Sequence, residues 1–100
     1  MVNYKTYDLM DRFIKSYEKF TPKSNPKLVI IDNETDSNQL YKVDTQSAHV
    51  YPFKENLGYA KACNFGASLS DSDYIAFLNS DTEFINDDCV DRCVDYMDKH

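Results

Sequence analysis

Apolar residues recur at helical spacing near the start of the chain. Leu9, Met10, Phe13, Ile14, Tyr17 and Phe20 fall on one stripe of a 3.6-residue period. The stripe predicts a helix over Thr6–Phe20, capped by Thr6 or Asp8 and ended by Pro22 just beyond it. Met1–Tyr4 before it reads as a short strand. After Pro26, the β-branched run Lys27–Ile31 predicts a second strand ending at Asp32, and polar Glu34–Asn38 a loop. A short helical turn through Leu40 and Tyr41 follows. His49–Phe53 is a third strand, with Pro52 marking an edge or a strand end. Gly58–Leu69 is a helix rich in small residues, suited to lying close on a sheet. Tyr74–Leu78 reads as a fourth strand. Asp87–Lys99 is a last helix capped by Asn86 or Asp87, with Val90, Cys93, Val94 and Met97 inward. Strands alternating with helices predict an α/β fold. The expected architecture is a three-layer α/β/α sandwich around a small, mainly parallel sheet, in one domain spanning residues 1–100.

Composition narrows the partners. Apolar content of 42% with 14% aromatics fits a globular chain and excludes a disordered one. No apolar run approaches the roughly 20 residues that span a bilayer, and no signal peptide opens the chain. With three cysteines at no metal-site spacing, read as reduced thiols, the expectation is a cytoplasmic protein. Cys63, Cys89 and Cys93 are read as small packing residues. A net charge of -6 excludes nucleic acid and anionic membrane as attracted partners. There are two histidines, one of them terminal, so no Ser-His-Asp or Cys-His hydrolase can be assembled.

The candidate chemistry lies at strand ends. Asn79-Ser80-Asp81-Thr82-Glu83 directly follows Tyr74–Leu78, and Asp32-Asn33-Glu34-Thr35-Asp36 follows the second strand. Open α/β sheets bind ligands outside the carboxyl ends of their strands. Oxygen-bearing side chains gathered there suit a hard cation and a phosphate-bearing ligand. Plainer roles stand beside these. Asp81 can cap a turn, Asp32 can hold its own loop through backbone amides, and Tyr4 can be core. Asn56 and Gly58 can simply start a helix. Lys61, early in that helix, can meet phosphate or only water. Asp87-Asp88 reads as helix capping.

Four ordered segments carry a resemblance to a known family. They are Val2-Asn3-Tyr4-Lys5, Val29-Ile30-Ile31-Asp32-Asn33-Glu34-Thr35-Asp36-Ser37, the helix Asn56-Leu57-Gly58-Tyr59-Ala60-Lys61-Ala62-Cys63-Asn64-Phe65-Gly66, and Asp73–Glu83. Together they resemble the amino-terminal, donor-binding half of a family 2 glycosyltransferase with the GT-A fold, its rhamnosyltransferase-like branch in particular. The likeness covers essentially the whole chain. It implies that Tyr4 packs on a nucleotide base and that Asp32 contacts the base. It further implies a nucleotide site shared by Asn33, Asn56, Lys61 and Ser80. Asp73–Glu83 is similar to the family's metal-binding segment, which makes Asp81 the principal ligand of Mn²⁺ or Mg²⁺, with Asn79 and Glu83 assisting. Asn79 stands where the family's D-x-D pattern has its first acid. The family's catalytic base and acceptor pocket lie in a later segment with no counterpart in these residues.

The resemblance implies a metal-dependent glycosyltransferase core that binds a UDP- or dTDP-sugar and transfers or slowly hydrolyses the sugar. The acceptor (saccharide, lipid or protein) is left open. Two other readings remain: a donor-binding module or half of a split enzyme without turnover, and an interaction protein that keeps only the fold. The helices carry more apolar surface than a four-stranded sheet needs, so a homo-oligomer is expected.

Overall fold

The computed structural model describes residues 1–20, 26–86 and 88–99. Among them three strands form, β1 (Val2–Tyr4), β2 (Val29–Asn33) and β3 (His49–Pro52). They pair in the order β1-β2-β3, both pairings parallel, with Asn3 opposite Asp32 and Ile31 opposite Tyr51. Helix α1 (Tyr7–Lys19) follows β1, α2 (Ser37–Leu40) follows β2, and α3 (Tyr59–Ser68) and α4 (Cys89–Lys99) follow β3.

Strand side chains alternate between faces, and β2 shows how each face is covered. Ile30 joins Tyr7, Met10, Phe13, Ile14 and Tyr17 of α1 in the main core, where Met10, Phe13 and Ile30 are fully buried. Ile31 points to the other face. There Gly66 of α3 comes so close that a Cβ would stand 3.5 Å from Ile31 Cγ1. The Phe65 ring of α3 meets Tyr51 and Phe53 edge-on, at centroid distances of 5.8 and 5.0 Å. Helix, sheet and helix therefore make three layers, a small parallel version of the expected α/β/α sandwich. Pro52 lies in β3, an edge strand, where its missing N–H costs no ladder bond.

Several sequence expectations are corrected. β2 begins at Val29 and runs on through Asp32 and Asn33, because both residues pair with β1. They are strand residues, not loop residues. Tyr74–Leu78 is not a strand, and the sheet has three strands among the described residues. A strand of a parallel sheet needs cover on both faces. Most apolar side chains of this run instead lie open, Tyr74, Ile75 and Phe77 (57% exposed) among them, while Leu78 alone packs half-buried against the core; the Tyr74 hydroxyl donates to Asp98 of α4. The run thus joins α4 at the periphery. No residue of α4 is buried: Val90 and Val94 are half-covered, and Cys93 and Met97 are exposed rather than inward. Thr6 is the residue at the α1 cap but makes no capping bond. Pro22 and Asp87, two of the expected helix boundaries, lie outside the described residues.

Candidate functional site

β1 and β2 stop in step, since Tyr4 is opposite Asn33 in the register. The next residue of each, Lys5 (φ 58°) and Glu34 (φ 49°), adopts the left-handed conformation that non-glycine residues rarely take. Such strain, typically about 1–3 kcal/mol per residue, concentrates at binding and catalytic sites. Here it turns the chain sharply away at both strand ends and opens a cleft of about 530 Å³ above them. Small-molecule sites usually span roughly 300–1,000 Å³.

One wall of the cleft is the end of the sheet, with Val2, Tyr4 and Asn33. A second is the amino terminus of α3, with Asn56, Gly58 and Tyr59; the third is the turn Asn79-Ser80-Asp81. The Asn33 side chain is 2% exposed, and its Oδ1 accepts from the Leu57 amide at 3.2 Å, tying β2 to the approach to α3. Asn56 Oδ1 accepts from the Gly58 amide at 2.9 Å. Gly58, at φ 79° and ψ 160°, takes a conformation open essentially to glycine alone, and α3 starts at the next residue. The positive end of that helix dipole thus borders the cleft. Tyr4 is 48% exposed, and a hydrogen bond with the Glu34 carboxylate pushes its phenol pKa up. Tyr59 is raised in the same way by the Cys63 thiol.

The Asn79–Asp81 turn is fixed although no strand leads into it. Asn79 O accepts from the Thr82 amide at 3.2 Å and from the Thr82 hydroxyl at 2.7 Å. The Phe84 amide donates to Ser16 Oγ at 3.0 Å, and its ring packs on Phe13 and Tyr17 at 5.6 and 6.1 Å. The Thr6 and Ser80 hydroxyls lie 3.3 Å apart. Helix α1 therefore holds the turn.

The cleft brings together Tyr4, Asn33, Asn56, Asn79, Ser80 and Asp81. It leaves out three other expected site residues. Lys61 and Glu83 are exposed outside its lining. Asp32 is fully buried behind it, accepting from Asn3 Nδ2 at 2.9 Å and from the Tyr7 hydroxyl at 2.8 Å. Thr6, Leu9 and Tyr59 line the cleft without having been expected there as site residues. Among the described residues, no three His, Cys, Asp or Glu side chains form a ready-made metal cluster. Nor is any helix there long and apolar enough to cross a membrane.

Tyr7 makes one pH dependence explicit. Burial, reinforced by the bond to Asp32, pushes its pKa up to about 12, against a partly offsetting bond from the Asp36 amide. An unfolded tyrosine titrates near 10. The folded state therefore favours the neutral phenol, a stabilisation fully present below about pH 10 and lost as pH rises towards about 12. Chemical denaturation should show stability falling across that window, and Tyr7→Phe should flatten the fall. An equal slope in the variant would contradict the assignment.

No curated protein matches the chain. The family described as "Glycosyl transferase family 2" matches it over residues 1–100, which takes in all three walls of the cleft. The chain belongs to glycosyltransferase family 2.

Proposed function

We propose that the cleft binds the nucleotide diphosphate of a sugar donor, a UDP- or dTDP-sugar, and that residues 1–100 act as the donor-binding domain of a glycosyltransferase. One observation carries the reading. Aromatic, amide and carboxylate groups from three separate segments converge at the carboxyl end of a parallel sheet. Tyr4 and Tyr59 offer half-exposed rings for stacking on a base, and Asn33 offers an amide beside them. The start of α3 supplies backbone N–H groups and a positive dipole end for phosphate.

The donor set fits a divalent cation. Asp81 and Asn79 present oxygen atoms to the cleft from one turn, and both are exposed enough to reach a ligand. Mn²⁺ or Mg²⁺ bound there would neutralise the diphosphate as the sugar departs. Asp81 holds the negative charge on the protein side of that site, and Ser80 offers a hydroxyl to phosphate. Glu83 stands outside as a neighbour of the turn.

Transfer also needs a base to take the acceptor's proton. Among the described residues lining the cleft Asp81 is the single carboxylate, and it is committed to the donor in this reading. That observation favours a second reading of these residues, donor binding without turnover. Calorimetric titration with uridine and thymidine diphosphates, with and without Mn²⁺, tests the first step. Metal-dependent binding is expected, and no binding by either nucleotide would overturn it. Release of labelled sugar from a nucleotide sugar then separates turnover from binding alone.

Self-association is proposed on separate grounds. Tyr74, Ile75, Phe77, Ile85, Tyr96 and Met97 expose a set of large apolar side chains. A second copy covering them would appear as a dimer in sedimentation equilibrium at micromolar concentration, and a clean monomer would contradict it.

A further inference from the structure

Glu34, one of the two left-handed residues at the strand ends, has a side chain with a specific task. Residues paired across a parallel sheet share a face. Asn3 and Asp32 therefore face α1, where both are buried, while Tyr4 and Asn33 face the cleft. An extended continuation of β2 would send Glu34 to the side of Asp32. Its φ of 49° breaks that alternation, and its carboxylate accepts instead from the Tyr4 hydroxyl.

The backbone after Glu34 is pinned in place. The Thr35 amide donates to Phe53 O at 2.8 Å, and the Thr35 hydroxyl to Asp32 O at 3.1 Å. The Phe53 amide donates to Asp32 O at 3.0 Å, and the Asp36 amide to the Tyr7 hydroxyl at 2.9 Å. A strained conformation persists where its surroundings over-determine it in this way. Glycine would take the same φ freely, so glutamate at position 34 carries a cost that its side chain must offset. The bond to Tyr4 is that offset. Tyr4 is half-exposed on the cleft wall, and a bond at the far end of its ring fixes the direction of the whole side chain. With its proton engaged by Glu34, the phenol offers the cleft a ring face rather than a donor.

We infer that Glu34 is a positioning residue: from its strained place at the end of β2 it holds the Tyr4 hydroxyl, so that the ring stands ready in the cleft as a flat stacking surface for a nucleotide base. This deepens the donor-site reading and rests on it for its effect on affinity. The gain is pre-organisation, because a ring already held loses little freedom when a base settles on it. A ligand without a base draws nothing from that gain.

The test compares Glu34→Gly, Glu34→Gln, Tyr4→Phe and the double variant Glu34→Gly/Tyr4→Phe, with uridine diphosphate and inorganic pyrophosphate as probes, each with Mg²⁺. Removing a carboxylate favours both anionic probes, so the readout is the ratio of their affinities. Glu34→Gly and Tyr4→Phe should each lower the preference for uridine diphosphate by roughly three- to tenfold, the scale of one pre-ordered side chain. The double variant should lose no more than either single one. Glu34→Gln keeps an acceptor oxygen and should stay within about twofold of the parent. Ligand-free Glu34→Gly should meanwhile melt about 2–6 °C higher, since the strain is gone. A parent-like ratio in Glu34→Gly, an equal loss in Glu34→Gln, or a lower melting temperature in Glu34→Gly overturns the inference. If the parent binds neither probe, the donor-site reading fails by itself. The χ1 couplings of Tyr4 in ligand-free protein then decide. They should show one rotamer in the parent and in Glu34→Gln and averaging in Glu34→Gly, and the same couplings in all three overturn the inference.

Discussion

Replacing Asp81 by alanine will abolish metal-dependent nucleotide binding, a loss of roughly 100-fold or more in affinity, the scale of a charge-assisted ligand contact. Three features make the effect large and specific. Asp81 is the single carboxylate lining the cleft among the described residues. It is exposed, so its removal opens no cavity in the core. The turn that carries it is held by other groups, Thr82 on Asn79 and Phe84 on Ser16. The melting temperature and far-UV circular dichroism of the ligand-free variant should therefore match the parent. Calorimetry in Mn²⁺ reads the affinity. Parent-like binding would move the cation elsewhere, and a coincident loss of fold would make Asp81 a structural residue.

Phe13→Ala should have the largest effect on stability, about 3–5 kcal/mol. The Phe13 side chain is fully buried at the centre of the α1 stripe, among Met10, Ile14 and Ile30. Its ring also meets Phe84 at 5.6 Å. Domains of this size have only about 5–15 kcal/mol in total. The variant should thus sit close to its unfolding transition at room temperature. Urea denaturation measures this, and a loss below about 1 kcal/mol would mean that α1 is not the core helix. Because Phe84 follows the Asn79–Asp81 turn, the loss should also weaken nucleotide binding in whatever fraction stays folded.

The parts that could be read from the sequence are those in which a local period decides the structure. Met10, Phe13, Ile14 and Tyr17 repeat every three to four residues, and all four are buried in α1. Gly58 sits at the start of a small-residue run, in which Gly66 packs on Ile31 of β2 and Ala62 is fully buried. Tyr74–Leu78 misled for a physical reason. Its composition suits a strand, but composition carries no information on whether a free edge and two covered faces are available. Asp32, expected at the nucleotide site, lies buried behind the cleft lining. The alternation of β2 puts Ile30 and Asp32 on one face and Ile31 and Asn33 on the other, so only one member of the Asp32-Asn33 pair can line the cleft. Strand parity settles that choice only once it is known where β2 ends. The polar partners of Asp32 were hidden further. Tyr7 lies on the α1 stripe three residues before Met10, a signal that was present. Asn3 comes opposite Asp32 only through the sheet register, which no local pattern reveals.

Amide chemical-shift mapping tests the central claim most directly, because it reports where a nucleotide sits rather than only whether it binds. Uniformly ¹⁵N-labelled protein titrated with uridine or thymidine diphosphate in Mg²⁺ should shift residues on all three walls: Tyr4 and Asn33, Asn56 to Tyr59, and Asn79 to Asp81. Substituting Mn²⁺ should broaden the Asn79–Asp81 amides first, by paramagnetic relaxation. Shifts confined to α4 and the Tyr74–Leu78 run, or no shifts with either nucleotide, would contradict a donor site in this cleft.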